Sequence, residues 1–386
     1  MKRKNICVLP GDGVGIEVTE AVVPLFEALE LPVTLNFGQI GWECWRAEGN
    51  TVPQATWRLI QESDATLLGA ITSKPQREAQ AELPNHLRHS EVPYVSPVIQ
   101  LRQRLSLYAN VRPVTDVIGD ERFRFTVIRE NTEGLYAGLD YASVPLEIEP
   151  LLLAKERQGA SWQRIDRHDA AVSLRLQTRL GVTRLLRFAC DHARAQGFDK
   201  VTLADKPNVL RNSSAFVRDI LEEVAADYPD LQLNIENVDA VALWMVQRPE
   251  RFGVIVAENM FGDILSDLGA GVMGGLGLAP SANIGEHGAY FEPVHGSAPA
   301  HAGLNKANPS AMFLSVALLL EYLDFTEAAS RVRSAVRQVA QSDVRTYDLG
   351  GSHSTTEVAQ RIIDTCLTLN QRGTVRPSQL TIPEYN

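Results

Sequence analysis

Residues 6–16 read Ile6-Cys7-Val8-Leu9-Pro10-Gly11-Asp12-Gly13-Val14-Gly15-Ile16: an apolar run, a turn carrying three glycines, and the first residues of a helical pattern. A strand that passes through glycines into a helix is the unit from which parallel α/β folds are assembled. The turn leaves backbone amides at the start of a helix, where they can cradle an anion. The dinucleotide fingerprint G-x-G-x-x-G, however, needs a glycine where Ile16 stands. It also needs an acidic residue at the end of the next strand to hold a ribose, and none is well placed there. The stretch therefore sets an α/β class and argues against a Rossmann domain; a tight turn is the simpler reading of it.

The same alternation continues outward. Strands are expected at 6–9, 33–37, 65–71, 201–203, 232–235 and 253–257, with an antiparallel region over 124–141. Helices are expected at 14–30, 51–61, 98–105, 213–226, 239–247, 263–274, 310–323, 326–341 and 353–369, with a long one around 174–196. Residues 72–97 are rich in Gln, Glu, Pro and His and lack a period. A connection of that length is usually functional or mobile, so it reads as a flap or approach to an active site. Residues 145–172 are also irregular and suit an extension used in dimer contact, while 371–386 read as a surface tail.

Composition bounds the class. With 386 residues, 45% hydrophobic and 22% charged, the chain has material for two domains and a sizeable core, which excludes a disordered or fibrous protein. No apolar run reaches the roughly 18 residues that span a bilayer. Met1-Lys2-Arg3-Lys4-Asn5 leads directly into a strand, too polar a start for a signal peptide, so a cytoplasmic location is expected. Cys7, Cys44, Cys190 and Cys366 form neither a CxxC pair nor a zinc motif and are expected to be reduced thiols. The excess of 47 acidic over 37 basic residues, a formal charge of -10, disfavours nucleic acid as a partner. It also counts mildly against an anionic substrate.

Four clusters carry chemistry. In Asn259-Met260-Phe261-Gly262-Asp263-Ile264-Leu265-Ser266-Asp267, two carboxylates four residues apart fall on one helix face, which suits Mg²⁺ or Mn²⁺. Alone, such a pair is more often a helix start with a solvated second acid. Its position just after an apolar strand ending at Glu258 favours a site at the carboxyl end of a sheet. Arg102, Arg112 and Arg129 flank strand-like stretches, and guanidinium groups bind carboxylates in bidentate fashion; singly, each is more often part of a solvated face. Tyr136 and Lys206 follow strands among polar residues and are acid/base candidates, although a rim hydroxyl and a surface lysine are the plainer readings. Finally, Glu292-Pro293-Val294-His295-Gly296-Ser297-Ala298-Pro299, with Asn308 beyond it, forms a polar loop before a helix, suited to phosphates and a purine edge. The eight histidines show no paired ligand spacing, so a zinc enzyme is not expected.

Taken in order, these motifs resemble the metal-dependent decarboxylating β-hydroxyacid dehydrogenases, the family of isocitrate, isopropylmalate, homoisocitrate and tartrate dehydrogenases. The resemblance runs from about residue 5 to residue 369. It is carried by residues 9–15, 101–113, 129–136, 205–208, 259–267, 275–285 and 292–299. It implies a two-domain α/β fold of the isopropylmalate-dehydrogenase type: a discontinuous large cofactor-binding domain (1–107 and 274–386) and a small domain (108–273) with a dimer clasp and the metal site. It further implies substrate carboxylates on Arg102, Arg112 and Arg129, with Ser96 and Val98 contacting the third substituent. A divalent cation is implied on Asp263 and Asp267, with Asp239 reaching it from the partner subunit.

By the same resemblance, Lys206 assists loss of the hydroxyl proton across the interface and Tyr136 protonates the carbon left by CO₂. The adenosine half of NAD or NADP would lie against His295, Gly296, Ser297, Ala298, Ala300, His301 and Asn308, with Asn208 near the nicotinamide ribose. The motifs around residues 107–113, 129–136 and 275–285 are closer to isocitrate dehydrogenases, while Val98 is similar to the apolar contact of isopropylmalate enzymes. Without an arginine at Gly351 to pair a 2′-phosphate, NAD is favoured, although Tyr347 resembles an NADP contact. The implied protein is a homodimeric enzyme acting on a small di- or tricarboxylate, without nucleic-acid or membrane partners. Two other readings are a non-catalytic regulatory subunit of an isocitrate dehydrogenase and a metal-independent dehydrogenase that uses residues 11–15 as its dinucleotide loop.

Overall fold

The computed structural model describes residues 2–88, 92–151, 154 and 166–370. The chain opens with β1 (Lys4–Gly11), α1 (Val14–Val22), α2 (Pro24–Ala28), β2 (Val33–Phe37), α3 (Trp42–Glu48), α4 (Gln54–Gln61) and β3 (Ala65–Ala70). There follow α5 (Gln76–Ala81), α6 (Pro97–Arg104), β4 (Ala109–Thr115), β5 (Arg124–Glu130), β6 (Asp140–Tyr141) and β7 (Val172–Ser173). The central part holds α7 (Arg179–Gln196), β8 (Lys200–Asp205), α8 (Arg211–Ala225), β9 (Gln232–Asn237), α9 (Val238–Gln247), β10 (Val254–Ala257) and α10 (Asn259–Met273). The chain then forms β11 (Pro280–Gly285), β12 (Gly288–Pro293), α11 (Ser310–Tyr322), α12 (Thr326–Ala340) and α13 (Thr355–Asn370).

Ten strands form one mixed sheet in the order β2-β1-β3-β12-β11-β4-β5-β10-β8-β9. Strands from residues 4–70 and 280–293 make up one side, and strands from residues 109–257 the other. They join where β11 pairs antiparallel with β4 through Ala282 opposite Val111, Asn283 opposite Asn110 and Ile284 opposite Ala109. Every residue of β3 and β10 is buried, as expected for strands covered on both faces. Ser310 to Glu321 in α11 are all buried, so this helix is apolar around its whole circumference and packs inside the core. No described helix is long and apolar enough to cross a membrane.

Several expectations change. The helix expected at 14–30 breaks before Pro24, whose ring nitrogen has no hydrogen to donate, giving α1 and α2. α10 starts at Asn259 rather than Asp263, because the Glu258 carboxylate accepts from Phe261 N and caps the free amides one turn earlier. The long helix starts at Arg179, where the Thr178 hydroxyl accepts from Gly181 N. Leu174 and Leu176 instead hydrogen-bond the backbone of Leu139 and Gly134. β4, β11 and β12 were not expected as strands. One face of β4 and of β11 packs in the core, while Asn110, Arg112, Ser281 and Asn283 on the opposite side face a polar network, and their Pro and Gly residues read as turns.

Residues 72–97 are partly ordered. Within them, Ala79 of α5 and Leu83 just after it pack against Trp42 and Trp45, and Tyr94 lies edge-on to both indoles. In the segment 145–172, Val172 closes a two-stranded sheet with β6. The rest of its centre and the expected tail at 371–386 lie outside the described residues.

Candidate active site

Parallel pairing brings several chemistry-bearing residues to one edge of the sheet. β10 aligns Ala257 with both Arg129 on β5 and Ala204 on β8, and β8 aligns Asp205 with Asn237 on β9. Arg129, Lys206, Asp239 and Glu258 therefore all stand at or just beyond carboxyl ends of neighbouring strands, the edge where open α/β sheets bind ligands. Tyr136 follows β5 by a short loop, and α10 leaves β10 carrying Asp263 and Asp267 on successive turns.

Three arginines converge there. Arg112 Nε donates to Asn110 Oδ1 at 2.7 Å, and its Nη1 donates to Ser266 Oγ at 2.7 Å and Asp267 Oδ1 at 2.8 Å. Arg129 donates to Asn259 Oδ1 at 3.0 Å and forms an ion pair with Asp263. Arg102, at the end of α6, reaches the Tyr290 hydroxyl at 3.4 Å and Glu292 at 3.9 Å. Burial first, then the charges of Arg102 and Arg112, bring the Arg129 guanidinium down to about 10, with Asp263 pulling the other way. Packing like charges together out of water is costly unless anions compensate, so the cluster is built to receive carboxylates. Tyr136 closes the group, with its hydroxyl 3.5 Å from Asp263 Oδ2 and its ring 5.8 Å from the Arg129 guanidinium carbon.

Lys206 and Asp239 form a second pair, joined by an ion pair. Among the described residues, no group of three His, Cys, Asp or Glu side chains comes together in a way that would hold a metal ion. At the arginine cluster, Asp263 and Asp267 stand one turn apart on the same helix, with Glu292 beside Arg102. Asp267 is 59% exposed and Asp263 35%, leaving oxygens open beyond their arginine partners. An all-oxygen donor set of this kind fits Mg²⁺ or Mn²⁺, provided further ligands come from substrate, water or another copy of the chain.

Ser96 precedes α6 with its hydroxyl 3.1 Å from that of Ser73. Val98 is half-buried against the apolar cluster that contains Leu101 and Tyr290, and lies one turn before Arg102 on the same helix face.

The loop after β12 meets the glycine turn quoted first. Ser297 O accepts from Val14 N at 2.8 Å, and the Ser297 hydroxyl lies 2.6 Å from that of Thr72. Gly13, at φ +57°, has no room for a Cβ, which would sit 2.1 Å from Ser297 O. His295 Nδ1 lies 3.0 Å from Gly296 O, its Nε2 is buried without a partner, and burial holds the ring's pKa below its usual value. Gly296, Ala298 and Ala300 are exposed, and a Cβ on Gly296 would meet nothing within 4 Å. His301 stacks on Tyr347 at 5.9 Å, and Asn308 Nδ2 donates to Asp348 Oδ2 at 3.0 Å while its Oδ1 accepts from Ser310 N. An unpartnered imidazole nitrogen, an open glycine and a flat His–Tyr stack together fit the adenosine half of a nicotinamide dinucleotide. Asn208 is exposed after β8, in the turn that carries Lys206.

Sequence reasoning missed the buried network beneath the arginines. Asn110 Nδ2 donates to Ser281 Oγ at 2.7 Å and Asn283 Oδ1 at 2.9 Å. Asn131 Nδ2 donates to Asn283 Oδ1 at 2.8 Å, and Asn283 Nδ2 donates to Glu292 Oε1 at 3.0 Å. A polar chain thus links Arg112 to the carboxylate beside Arg102. The period-two spacing of Ser281 and Asn283 was the available signal. Asp12 was also missed: it accepts from Trp42 N and Thr72 N, both at 2.8 Å, and so ties the glycine turn to the approach segment.

Comparisons with known proteins identify the family. Residues 5–362 match the family described as isocitrate/isopropylmalate dehydrogenase. Protein DlpA of Legionella pneumophila is 57% identical over 95% of this chain, which spans 59% of DlpA's length. The 3-isopropylmalate dehydrogenase of Methanothermobacter thermautotrophicus is 37% identical over 94% of this chain and 98% of its own length. The isocitrate/homoisocitrate dehydrogenase of Thermus thermophilus is 39% identical over 93% and 98%. Among solved structures, the isocitrate dehydrogenase of Methylococcus capsulatus superposes with a TM-score of 0.79 at 35% identity, covering 95% of this chain and all of that one. A beta-decarboxylating dehydrogenase from Thermococcus kodakarensis gives 0.77 at 33%, covering 96% and 98%. With the match spanning nearly the whole chain and every strand of the mixed sheet, this protein belongs to the isocitrate/isopropylmalate dehydrogenase family.

Proposed function

We propose that the protein is an NAD(P)-dependent, Mg²⁺- or Mn²⁺-dependent enzyme that oxidatively decarboxylates a 3-substituted (R)-malate, with isocitrate, giving 2-oxoglutarate, as favoured substrate and NAD as favoured cofactor. The observation that carries this reading is the convergence of Arg102, Arg112 and Arg129 with Asp263, Asp267 and Tyr136 at one sheet edge. Asp263 and Asp267 would hold the cation with Asp239 of the partner subunit; when bound, it supplies Lewis-acid charge to the 2-hydroxyl and its neighbouring carboxylate. The arginines bind the substrate carboxylates, Lys206 takes the hydroxyl proton as hydride leaves for the nicotinamide, and Tyr136 returns a proton to the carbon freed by loss of CO₂. The favoured cofactor would lie on His295, Ser297, Ala300, His301 and Asn308, since no arginine stands at Gly351 for a 2′-phosphate.

A second substrate, 3-isopropylmalate, is favoured by Val98, whose apolar side chain lies on the Arg102 face of α6. The test is a panel of isocitrate, isopropylmalate, homoisocitrate, tartrate and malate with each cofactor, with and without EDTA. Metal-dependent NADH formation with CO₂ release is expected, fastest with isocitrate. No turnover with any member would overturn the assignment, and turnover that persists in excess EDTA would favour a metal-independent dehydrogenase.

The same reading makes the enzyme a homodimer with shared sites, composed of the large domain 1–107 and 274–386 and the small domain 108–273. Support comes from α9 and α10, which expose Leu243, Val246 and Ile264 at half or more of their surface near the Lys206–Asp239 pair. Mixing inactive Lys206→Met and Asp263→Asn subunits should restore up to about a quarter of the activity if each site draws on two chains. Strictly additive inactivity would point to self-contained sites. A cytoplasmic location accords with four buried, unpaired thiols.

A further inference from the structure

A second cavity lies at the far end of the same elements. It encloses about 410 Å³ between the β4–β5 hairpin, the end of α10, and helices α11 and α12. That volume falls within the range of small-molecule sites. Its floor is apolar, with Phe123, Met273, Leu314 and Leu318, while Arg124, Arg333 and Arg337 stand among its lining residues.

The charges at this cavity are unevenly satisfied. Of its two acids, Asp116 is engaged outside the lining, accepting from Arg122 Nε at 3.1 Å and from Gly119 N at 2.9 Å, while Glu121 pairs with Arg337 within it. Arg333 pairs with the buried Glu321. Arg124 has a backbone partner, Gln196 O at 2.8 Å, and lies over the Phe198 ring, but among the described residues no carboxylate is within ion-pair distance of it. Burial lowers its pKa, and the neighbouring Arg333 charge lowers it further. Arg124, exposed at the rim of an apolar pocket and without a carboxylate partner among the described residues, forms a receptor for one anionic head, with the apolar lining for its tail.

We infer that this cavity is a second ligand site, which takes a small amphipathic monocarboxylate with its head at Arg124 and its tail on Leu314, Leu318 and Met273. It is separate from the catalytic cluster yet shares its framework. Arg124 lies on the strand that carries Arg129, roughly 17 Å away at the usual strand rise, and Met273 ends the helix that carries Asp263 and Asp267. The inference goes beyond the proposed activity and does not depend on it.

The test is calorimetric titration of the full chain with sodium octanoate, alongside acetate, which lacks the tail, and 1-octanol, which lacks the charge. One octanoate per chain is expected, with a dissociation constant tighter than about 1 mM. Acetate and octanol should bind at least tenfold more weakly. Arg124→Gln should weaken octanoate at least tenfold, and Ser334→Trp, which fills the cavity from an exposed position, should abolish its binding. If the tryptophan variant does not fold, Arg124→Gln decides alone. No octanoate binding, equal binding of either control, or unchanged binding by Arg124→Gln overturns the proposal.

Discussion

Asn283 shows how much of the site rests on one uncharged side chain. It is fully buried, accepts from Asn110 and Asn131, and donates to Glu292. Asn283→Ala leaves two buried amide donors and a carboxylate oxygen each short of a partner, at about 1–3 kcal/mol for each such group before relaxation. The variant is expected to unfold at lower urea, by about 3 kcal/mol in total. It should also raise KM for the substrate more than it lowers kcat, because Asn110 orients Arg112 and Glu292 stands beside Arg102. An unchanged KM, measured with folded protein, would show that the network only supports the strands. The candidate residues that the structure gathers at the sheet edge, such as Arg112, Arg129, Tyr136 and Asp263, were visible in the sequence because charged and aromatic side chains at strand ends are conspicuous. Asn283 was not, since an amide inside an unrecognised strand carries no such mark.

At the scale of elements, the glycine turn after β1 and the loop after β12 act as one structure. Gly13 has φ +57° with ψ -128°, which side-chain-bearing residues rarely adopt, and its missing Cβ would overlap Ser297 O, so Gly13→Ala incurs backbone strain of about 1–3 kcal/mol plus a clash with a carbonyl. The expected result is a lower melting temperature together with a higher KM for the dinucleotide, while KM for the carboxylate substrate changes little; a selective rise in the latter would contradict this role. These glycines serve close packing: Gly13 against Ser297 of the loop after β12, and Gly11 and Gly15 against Ala70 at the end of β3. The buried strands β1, β3, β8 and β10 were legible from continuous apolar runs and turn residues. β4, β11 and β12 were not, because each is short, carries Pro or Gly that reads as a turn, and in β4 and β11 alternates core residues such as Val111 and Ala282 with Asn, Ser and Arg. The discontinuous chain path was beyond local pattern altogether, since pairing of β11 with β4 joins residues far apart in sequence.

For the molecule as a whole, His192 sets a limit on acid tolerance. It is buried in α7, stacks with Phe188, lies 3.1 Å from the Thr126 hydroxyl, and is held at about pKa 4 by burial, reinforced by the charge of Arg124. Because the folded pKa lies below the unfolded value of about 6.5, the unfolded chain takes up the proton first. The stability from neutral His192 is complete above about pH 6.5 and is lost as pH falls toward 4, at up to about 1.4 kcal/mol per pH unit. In urea melts between pH 7 and 4.5, His192→Gln should lose less stability over that window than the parent; parallel slopes would assign the acid sensitivity to other groups. The ten-stranded ladder has a mechanical consequence of its own. Because the two halves share one hydrogen-bonded sheet, any movement of one half against the other must twist the sheet at the three residue pairs joining β11 to β4. Rigidity at that seam, rather than slack in a linking loop, would then set how fast the two halves draw together around a ligand.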